Sequence, residues 1–477
     1  MSKSTAIKGK SFDYRSKLIN EIKSVKKLTF NPRDIGLKVL KYLSEDKGIK
    51  YKYVTKKQLF MRYENGVWKE EYVKKKGCYL RKVVTDFLAD ISYRFNRRSK
   101  VNEVVRNIMH EVSDVSKNDD VFDPANQPKR LINFKNLIFD AVNQKKLPHD
   151  SKHHLIYQLP VDYSDKAECP LWEKTLKEWI NDEDTILFLQ EFIGYMMTTY
   201  NCTHKFVIFY GGGSNGKSVF LNIVESLLGD SYHSMGLKRF TERTRWTAHD
   251  LVGKLANICS DIDYVKFKYT GLIKKLSGGD SVEAEIKGGE TYNYEPIIKL
   301  LFSANKLPEA KNLTHGFYRR LEIVNFPNKF SPNMENYDPQ LTSKLKTELP
   351  GIARWAINGL IRFLENGKQF TISDTMRIDL LNYMDQKNVF SEFLEEFVVE
   401  TDDPDDYIVS RNLYNIYKDW AERNNLDVKT IGKLTSYIKD NKIGLSEQDS
   451  SNYGAKVKNI DGKSKRCYIG IKLKKQK

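Results

Sequence analysis

The chain has 477 residues, 40% of them hydrophobic, which is enough apolar material for about three cores at ordinary domain sizes. Its 79 Lys and Arg against 62 Asp and Glu give a formal net charge of +17, which argues for a polyanionic partner, nucleic acid before membrane. No apolar run reaches the roughly 18 residues that span a bilayer, the N-terminus lacks an apolar signal core, and the five cysteines (Cys78, Cys169, Cys202, Cys259 and Cys467) are scattered without zinc spacing. A cytoplasmic protein with reduced thiols and no membrane association is expected.

Residues 1 to about 30 are rich in Lys and Ser and read as poorly ordered. The pattern becomes globular from Asn31. Lys52 to Lys69 reads as a hairpin around the Asn65-Gly66 turn, with Trp68 either in a core or on a contact surface. Tyr79 to Val112 reads as one helix whose Val83, Phe87, Ile91, Phe95, Val104, Val105 and Ile108 share a buried face. Asn118 to Arg130, polar with two prolines, reads as a linker. Short strands are expected around Leu131–Phe139 and Leu155–Leu159. A helical pair, Trp172–Ile180 and Asp184–Met197, follows as a structural collar.

Phe206 to Tyr210 is then a short apolar strand that stops at glycines. Gly211-Gly212-Gly213-Ser214-Asn215-Gly216-Lys217-Ser218 fits G-x-x-x-x-G-K-[ST], and Val219, Phe220, Ile223, Val224, Leu227 and Leu228 continue at helical spacing to Gly229. Strand, glycine loop and helix together form the context of a phosphate-binding loop. Glycines permit positive φ and close backbone approach, so several N–H groups can face one anion, and the helix N-terminus adds partial positive charge. Lys217 is expected to reach the β- and γ-phosphates of a nucleotide, and the Ser218 hydroxyl to sit on Mg²⁺.

Lys238, Arg239, Arg243 and Arg245 form a basic stretch that suits either a solvated loop or a contact with DNA or a neighbouring subunit. Leu255 to Ser260 is a second buried strand and ends in Asp261-Ile262-Asp263, 44 residues after Lys217. One carboxylate there would hold the metal and another would orient or deprotonate water. Glu283 to Tyr294 reads as a hairpin with its tip at Lys287–Gly289. Ile297 to Ser303 is a third core strand that delivers Asn305 to its end. Arg319 and Arg320 stand before a fourth strand ending in Phe326-Pro327, placed either as a surface charge pair or as a finger aimed at another subunit's phosphate.

In this order the motifs resemble the superfamily 3 helicases of the AAA+ class, and more closely the helicase part of poxvirus-type and phage or plasmid primase-helicases. The resemblance covers roughly residues 130–365 and includes Leu189-Gln-Glu-x-x-Gly194-Tyr195, Ser277-Gly-Gly-Asp280 and Pro350-Gly-Ile-x-x-Trp355-Ala-x-x-Gly359. It implies ATP and Mg²⁺ as cofactors. Lys217 and Ser218 then match Walker A, Asp261 and Asp263 the acidic Walker B pair with Asp261 a metal ligand, and Asn305 sensor 1. Arg319 or Arg320 matches a finger acting in trans, which implies a homo-oligomeric ring, typically a hexamer. Lys287 and Gly288 match the loop that tracks single-stranded DNA, usually 3′ to 5′. Two departures stand out: both Walker B acids are aspartates where the family usually has a glutamate, and Glu285 replaces a basic residue common before the tracking loop.

Towards the C-terminus, Ile408 to Trp420 resembles the first helix of the small domain that follows these helicases, and Gly432 to Asp440 is a second helix with Leu434, Tyr437 and Ile438 inward. Ala455 to Leu473 is a hairpin turning at Asp461-Gly462. Helices followed by a basic hairpin suggest a winged helix whose Lys456, Lys458, Lys463, Lys465 and Arg466 contact duplex phosphates, or alternatively a protein-docking wing. The acidic stretch Glu400–Asp406 reads as a linker between ring and wing.

The expected fold class is α/β: an AAA+ P-loop sheet with flanking helices, a small mixed N-terminal domain and a C-terminal winged helix. The expected domains are residues 1–125 (DNA binding or oligomerisation), 126–200 (collar), 201–385 (ATPase) and 386–477 (wing). The expected function is ATP-driven unwinding in replication of a phage, plasmid or genomic island. The alternatives are an origin-binding initiator that uses ATP only as a switch, and a primase-helicase with a cryptic polymerising site. Residues 1–130 show neither Asp-x-Asp on a strand nor zinc ligands, so priming is expected to come from a separate primase.

Overall fold

The computed structural model describes all residues except 1–3, 25–28, 74, 76, 114–118, 242–245, 261–266, 268, 286–290, 309–314, 335–336, 402, 425, 427, 442, 445–454 and 475–477. It divides into two compact units: Met1–Asp263 with Tyr269–Lys306 and Val324–Ser373, and Tyr264–Lys268 with Leu307–Ile323 and Asp374–Lys477.

The first unit opens on α1 (Ser4–Lys23), within the stretch expected to be poorly ordered. Leu18, Ile19 and Ile22 form a short apolar stripe and bury in one cluster with α2 (Pro32–Lys47), which overrides the Lys- and Ser-rich composition. Asn31 caps α2 by accepting from the Arg33 and Asp34 amides. Next come β1 (Lys50–Val54), β2 (Leu59–Glu64) and β3 (Val67–Glu71), an antiparallel sheet in that order. The β2–β3 turn is the expected Asn65-Gly66, both at positive φ. Trp68 is core: it is 2% exposed and its indole N–H reaches Ser151 O at 2.9 Å.

The single helix expected over Tyr79–Val112 is two, α3 (Tyr79–Ile91) and α4 (Arg98–Val112). Ser92 breaks it: its backbone is extended and its hydroxyl accepts from the Arg94 amide, capping a 3₁₀ turn instead of continuing the ladder. A second small sheet contains β4 (Leu131–Asn133), β5 (Ile138–Asp140) and β6 (Lys145–Leu147). Residues 155–159 form no strand; Leu159 makes only an isolated bridge to Phe134.

The collar helices are α5 (Pro170–Trp179) and α6 (Glu183–Met196). The core continues through β7 (Phe206–Tyr210), α7 (Lys217–Leu228) and β8 (Tyr232–His233). The short helices α8 (Leu237–Phe240) and α9 (Trp246–His249) lead to β9 (Ala256–Cys259). Then come α10 (Gly271–Gly278), the hairpin β10 (Val282–Glu285) and β11 (Thr291–Tyr294), β12 (Lys299–Ala304), α11 (His315–Tyr318) and β13 (Leu321–Asn325). The central sheet runs β13-β7-β12-β9-β8, and β12 is parallel to both β7 and β9. Phe206, Val207, Ile208, Phe209, Leu300, Leu301 and Phe302 are fully buried, the near-continuous apolar runs of strands covered on both faces.

After α12 (Leu341–Thr347), α13 (Leu349–Glu365) packs along α6 at backbone distance. A Cβ on Gly194 would lie 2.3 Å from Ala356 O, and one on Gly359 would lie 2.4 Å from the Gln190 carbonyl. Gln190 donates to Trp355 O at 2.8 Å. The fully buried Glu191 accepts from Arg362 Nε at 2.6 Å and from the Thr371 amide and hydroxyl at 2.7 and 2.8 Å. Sequence motifs at Leu189–Tyr195 and Pro350–Gly359 are thus two sides of one helix contact.

Lys299 opens β12 in full burial, with its ammonium against Thr198 O and Ile297 O and over the Tyr195 ring. Burial pushes its pKa down to about 7. Unfolded Lys binds a proton up to about 10.4, so between these values the unfolded state holds more protons and stability rises with pH. Comparing denaturation midpoints with Lys299→Met from pH 7 to 10, the wild type should gain on the variant as pH rises; a constant difference would contradict this.

The second unit holds α14 (Asp374–Phe397), unbroken across residue 385, then β14 (Val398–Glu400), β15 (Tyr407–Val409), α15 (Ser410–Arg423), α16 (Ile431–Asp440), β16 (Lys456–Ile460), β17 (Lys463–Ile469) and β18 (Ile471–Leu473). Tyr407–Val409 is strand, so the helix expected from Ile408 starts at Ser410. The sheets are β15-β17-β16 and β14-β18, closed over Phe390, Phe393, Leu413, Tyr417, Leu434 and Ile438. The acidic stretch at Glu400–Asp406 is a loop inside this unit and not a linker. Thr401 N reaches Gly470 O at 2.8 Å, Gly470 N reaches Asp406 O at 2.7 Å, and Asp406 pairs with Lys472 at 3.1 Å.

Candidate nucleotide-binding site

The apolar strand β7 runs directly into the glycine loop. Gly213 and Gly216 sit at φ 91° and 90°, and Ser214 at 52°. Gly216 has a second reason to be glycine: a Cβ there would meet the Trp179 indole at 2.4 Å. At Gly211 a Cβ would fall 2.0 Å from the Asn215 amide nitrogen and 2.6 Å from Phe326 O. Helix α7 starts at Lys217 with no side-chain cap, so its first-turn N–H groups face the loop.

Lys217 is 4% exposed. Its ammonium donates to Gly211 O at 2.7 Å, to Asn215 Oδ1 at 2.8 Å and to Asn305 Oδ1 at 3.3 Å. Strand register explains the last contact. Ala304 pairs with Tyr210 across the parallel β12–β7 ladder, so Asn305 is carried to the level of Gly211. β12 is inserted between β7 and β9, so strand order does not follow chain order at the loop. Such switch points, at the carboxyl ends of parallel strands, are where α/β sheets bind ligands.

These residues suit a polyphosphate. Gly211 O, Asn215 Oδ1 and Asn305 Oδ1 are neutral acceptors, and a phosphate offers the Lys217 ammonium a charge-assisted bond. Ser218, in the first turn of α7, is exposed and its hydroxyl is open to a cation held on such a phosphate. Gly212 is exposed and Val219 half-buried.

One supporting element escaped the sequence reading. After β13 the chain straps the loop: Phe326 N donates to Tyr210 O at 2.7 Å, Asn215 Nδ2 to Phe326 O at 3.0 Å, and Phe330 N to Ser214 O at 2.7 Å. Asn328 ties the strap to Glu178 O of α5 at 2.7 Å. The strap brings Lys329, an exposed cation, within 3.6 Å of the place a Gly212 side chain would occupy. The only sequence signal was Pro327 straight after a strand.

The other expected site residues fall elsewhere. Asp261 and Asp263 lie outside the described residues, just beyond β9, as do Arg243, Arg245, Lys287 and Gly288. The base of the β10–β11 hairpin is fixed to α9: Tyr292 Oη meets His249 Nδ1 at 2.7 Å and Tyr294 donates to Ala248 O at 3.0 Å. Within the second unit Arg319 is exposed, whereas Arg320 is 8% exposed with its guanidinium on Gly316 O at 2.6 Å. On the β16–β17 hairpin Lys458 stands opposite Lys465 and Ile460 opposite Lys463. Alternation puts Lys456, Lys458, Lys463 and Lys465 on one face and Arg466 on the other, opposite Val457. The hairpin turns at Asp461-Gly462, both at positive φ, as expected. No helix among the described residues is long and apolar enough to cross a membrane, and no His, Cys, Asp and Glu cluster among them has the form of a metal site.

A phosphate-binding loop at the switch point of a parallel sheet, with an asparagine from the adjoining strand on its lysine, defines the P-loop class of nucleotide-binding proteins. The family described as "D5 N terminal like" matches residues 38–181, and a family of unknown function (DUF5906) matches residues 209–320. An inferred helicase of Acanthamoeba polyphaga mimivirus is 23% identical over 369 residues, 69% of this chain and 38% of that protein. One of Invertebrate iridescent virus 3 is 26% identical over 362 residues, 64% of this chain and 36% of that protein. With the motifs above, these matches make the chain similar to viral D5-type helicases. The chain spans well under half the length of these curated relatives. Among solved structures, the NrS-1 C-terminal region (305–718) overlaps 91% of this chain and 99% of its own at 12% identity with a TM-score of 0.44, too loose a likeness to carry an assignment.

Proposed function

We propose that the chain is an ATP-driven, ring-forming DNA helicase that serves replication of a mobile genetic element, moving 3′ to 5′ on single-stranded DNA. The observation that carries this reading is the Lys217–Asn305 contact at the strand switch point, in a chain similar to viral helicases and with a net charge of +17. Mg²⁺-ATP supplies phosphoryl-transfer chemistry when bound. The loop amides of Gly211–Ser218 and the Lys217 ammonium would hold the phosphates, and Ser218 with Asp261 would hold the metal. Asp261 or Asp263 would orient the attacking water, and Asn305 would hydrogen-bond that water or the terminal phosphate. Of the two arginines, exposure favours Arg319 as the finger reaching a neighbouring subunit, since Arg320 is folded back onto Gly316. Lys287 and Gly288, in the segment joining β10 to β11, grip the DNA backbone without reading sequence, and the strands beside them are anchored on α9.

In the second unit, two helices followed by a basic hairpin support a winged-helix reading, with Lys456, Lys458, Lys463 and Lys465 on one face for duplex phosphates. Arg466 is exposed on the other face of the hairpin, and Lys458 also pairs with Asp405 at 3.6 Å. Priming comes from a separate primase.

The test is DNA-stimulated ATPase together with unwinding of 3′-tailed and blunt duplexes. Stimulation by single strands and unwinding of the tailed duplex alone is the expected result. ATP hydrolysis with unwinding of neither duplex would replace the helicase with an origin-binding switch.

A further inference from the structure

The region matched as D5 N-terminal-like carries a wide groove that plays no part in the nucleotide site. Its volume is about 1350 Å³ and its lining residues all lie between Tyr53 and Met109. That exceeds the roughly 300–1,000 Å³ of a small-molecule pocket and suits a segment of polymer. Strands β1 and β2 form one wall, the segment after β3 the rim, and α3 and α4 the other wall.

Its charge is one-sided. Lys75, Arg81, Lys82, Arg98 and Arg106 line it, and among the described lining residues no side chain is acidic. Among the described residues, none of these five joins an ion pair. Lys75, Lys82, Arg98 and Arg106 are exposed, while Arg81 is half-buried and bonded to Asn102 at 2.6 Å. Other cations of the same region do find carboxylates: Arg62 pairs with Glu64 and Glu71, Arg15 with Asp90, and Lys100 with Glu103. Five cations without a carboxylate partner among the described residues repel each other around one concavity and are best satisfied by a polyanion.

The groove also offers ring faces. Tyr72 is 41% exposed at the rim, with the Lys75 ammonium 4.3 Å from its ring centroid, and Tyr53 is half-buried in the wall. Aromatic rings among backbone-tracking cations are the arrangement that holds unpaired bases; a duplex keeps its bases stacked internally and has no use for them. Asn96, Asn102 and Gln58 add neutral hydrogen-bonding groups that discriminate little between bases.

We propose that this groove is a binding site for single-stranded polynucleotide, with phosphates on Lys82, Arg98 and Arg106 and a base stacked on Tyr72. The inference is independent of triphosphate hydrolysis, because every residue in it lies outside the phosphate loop. It therefore survives or fails separately from the helicase reading.

The test uses the full chain without nucleotide. Binding of a fluorescent mixed-sequence oligonucleotide, as DNA and as RNA, is measured by anisotropy across a salt series and compared with blunt duplex. Each single-strand phosphate contact contributes about 0.7 to the slope of log affinity against log salt. The triple variant Lys82→Ala, Arg98→Ala, Arg106→Ala should lose about 2 of that slope and at least tenfold in affinity at low salt. Tyr72→Ala should cost about tenfold with the slope unchanged. These are surface positions, and coincident melting curves confirm an intact fold. A bromodeoxyuridine strand should cross-link to the peptides bearing Tyr72 and Arg98–Arg106. Unchanged affinity and slope in the triple variant, equal losses on blunt duplex, or cross-links only outside residues 53–109 would each overturn the proposal. The DNA and RNA arms tell which polymer the groove prefers.

Discussion

Lys217→Ala should lower triphosphate hydrolysis at least about a hundredfold, the usual consequence of losing a preorganised charge at a phosphoryl-transfer site. Lys217 is buried where the loop, α7 and β12 converge, and no other described cation approaches Gly211 O, Asn215 Oδ1 and Asn305 Oδ1 together. Lys329 comes near Gly212 and has no described contact with those three oxygens, so it does not substitute for Lys217. Asn305→Ala separates binding from turnover. It should leave nucleotide affinity within a few-fold, because the loop and Lys217 remain, while hydrolysis falls by about tenfold or more. Steady-state phosphate release and a fluorescent-nucleotide titration read the two quantities. Near-normal turnover in Lys217→Ala would remove Gly211–Ser218 from the catalytic site, and equal losses of affinity and turnover in Asn305→Ala would reduce that residue to a prop for the loop.

The second large effect concerns the α6–α13 contact. Arg362→Met should destabilise the first unit by about 3 kcal/mol, the lower end for a broken buried pair because Arg362 is itself about one-third exposed. The loss arises mainly from what is left behind: Glu191, with no exposed surface, keeps the Thr371 amide and hydroxyl as its partners among the described residues. Adding Glu191→Met should recover most of the deficit, since no charge then remains buried. Denaturant midpoints of the single and double variants decide it. A loss under about 0.5 kcal/mol for Arg362→Met, or a double variant worse than the single, would show that the pair does not anchor these helices.

The phosphate loop was legible in the chain because its chemistry is local: strand, glycines, lysine and helix are consecutive, and each needs only its neighbours. Gly216 shows where that legibility stops. Its positive φ follows from the motif, but the Trp179 ring that also demands glycine lies 37 residues upstream and is brought there by packing. Asn305 was legible as a polar residue at a strand end; that it meets Lys217 depends on β12 being inserted beside β7, which only long-range pairing decides. The strap at Phe326–Phe330 works through backbone atoms, which leave little mark in residue type. Errors in the fold have the same origin. Composition marked α1 as unstructured, although three apolar residues sufficed to dock it, and period alone ran α3 into α4 because Ser92 breaks a helix through its conformation and not its hydropathy. The basic groove of the N-terminal region is dispersed over residues 53–109, and no window of sequence brings its cations together.

The close approach of Trp179 to Gly216 has an optical consequence. An indole's emission responds to the packing and polarity at its ring, and this ring is pressed against the residue where loop becomes helix, within a cluster that includes Trp172, Phe220 and Phe326. Any rearrangement of the loop on taking up a phosphate alters what the ring touches. The chain thus contains its own chromophore at the site, and ultraviolet fluorescence of the unlabelled protein can time nucleotide arrival and departure within a single turnover.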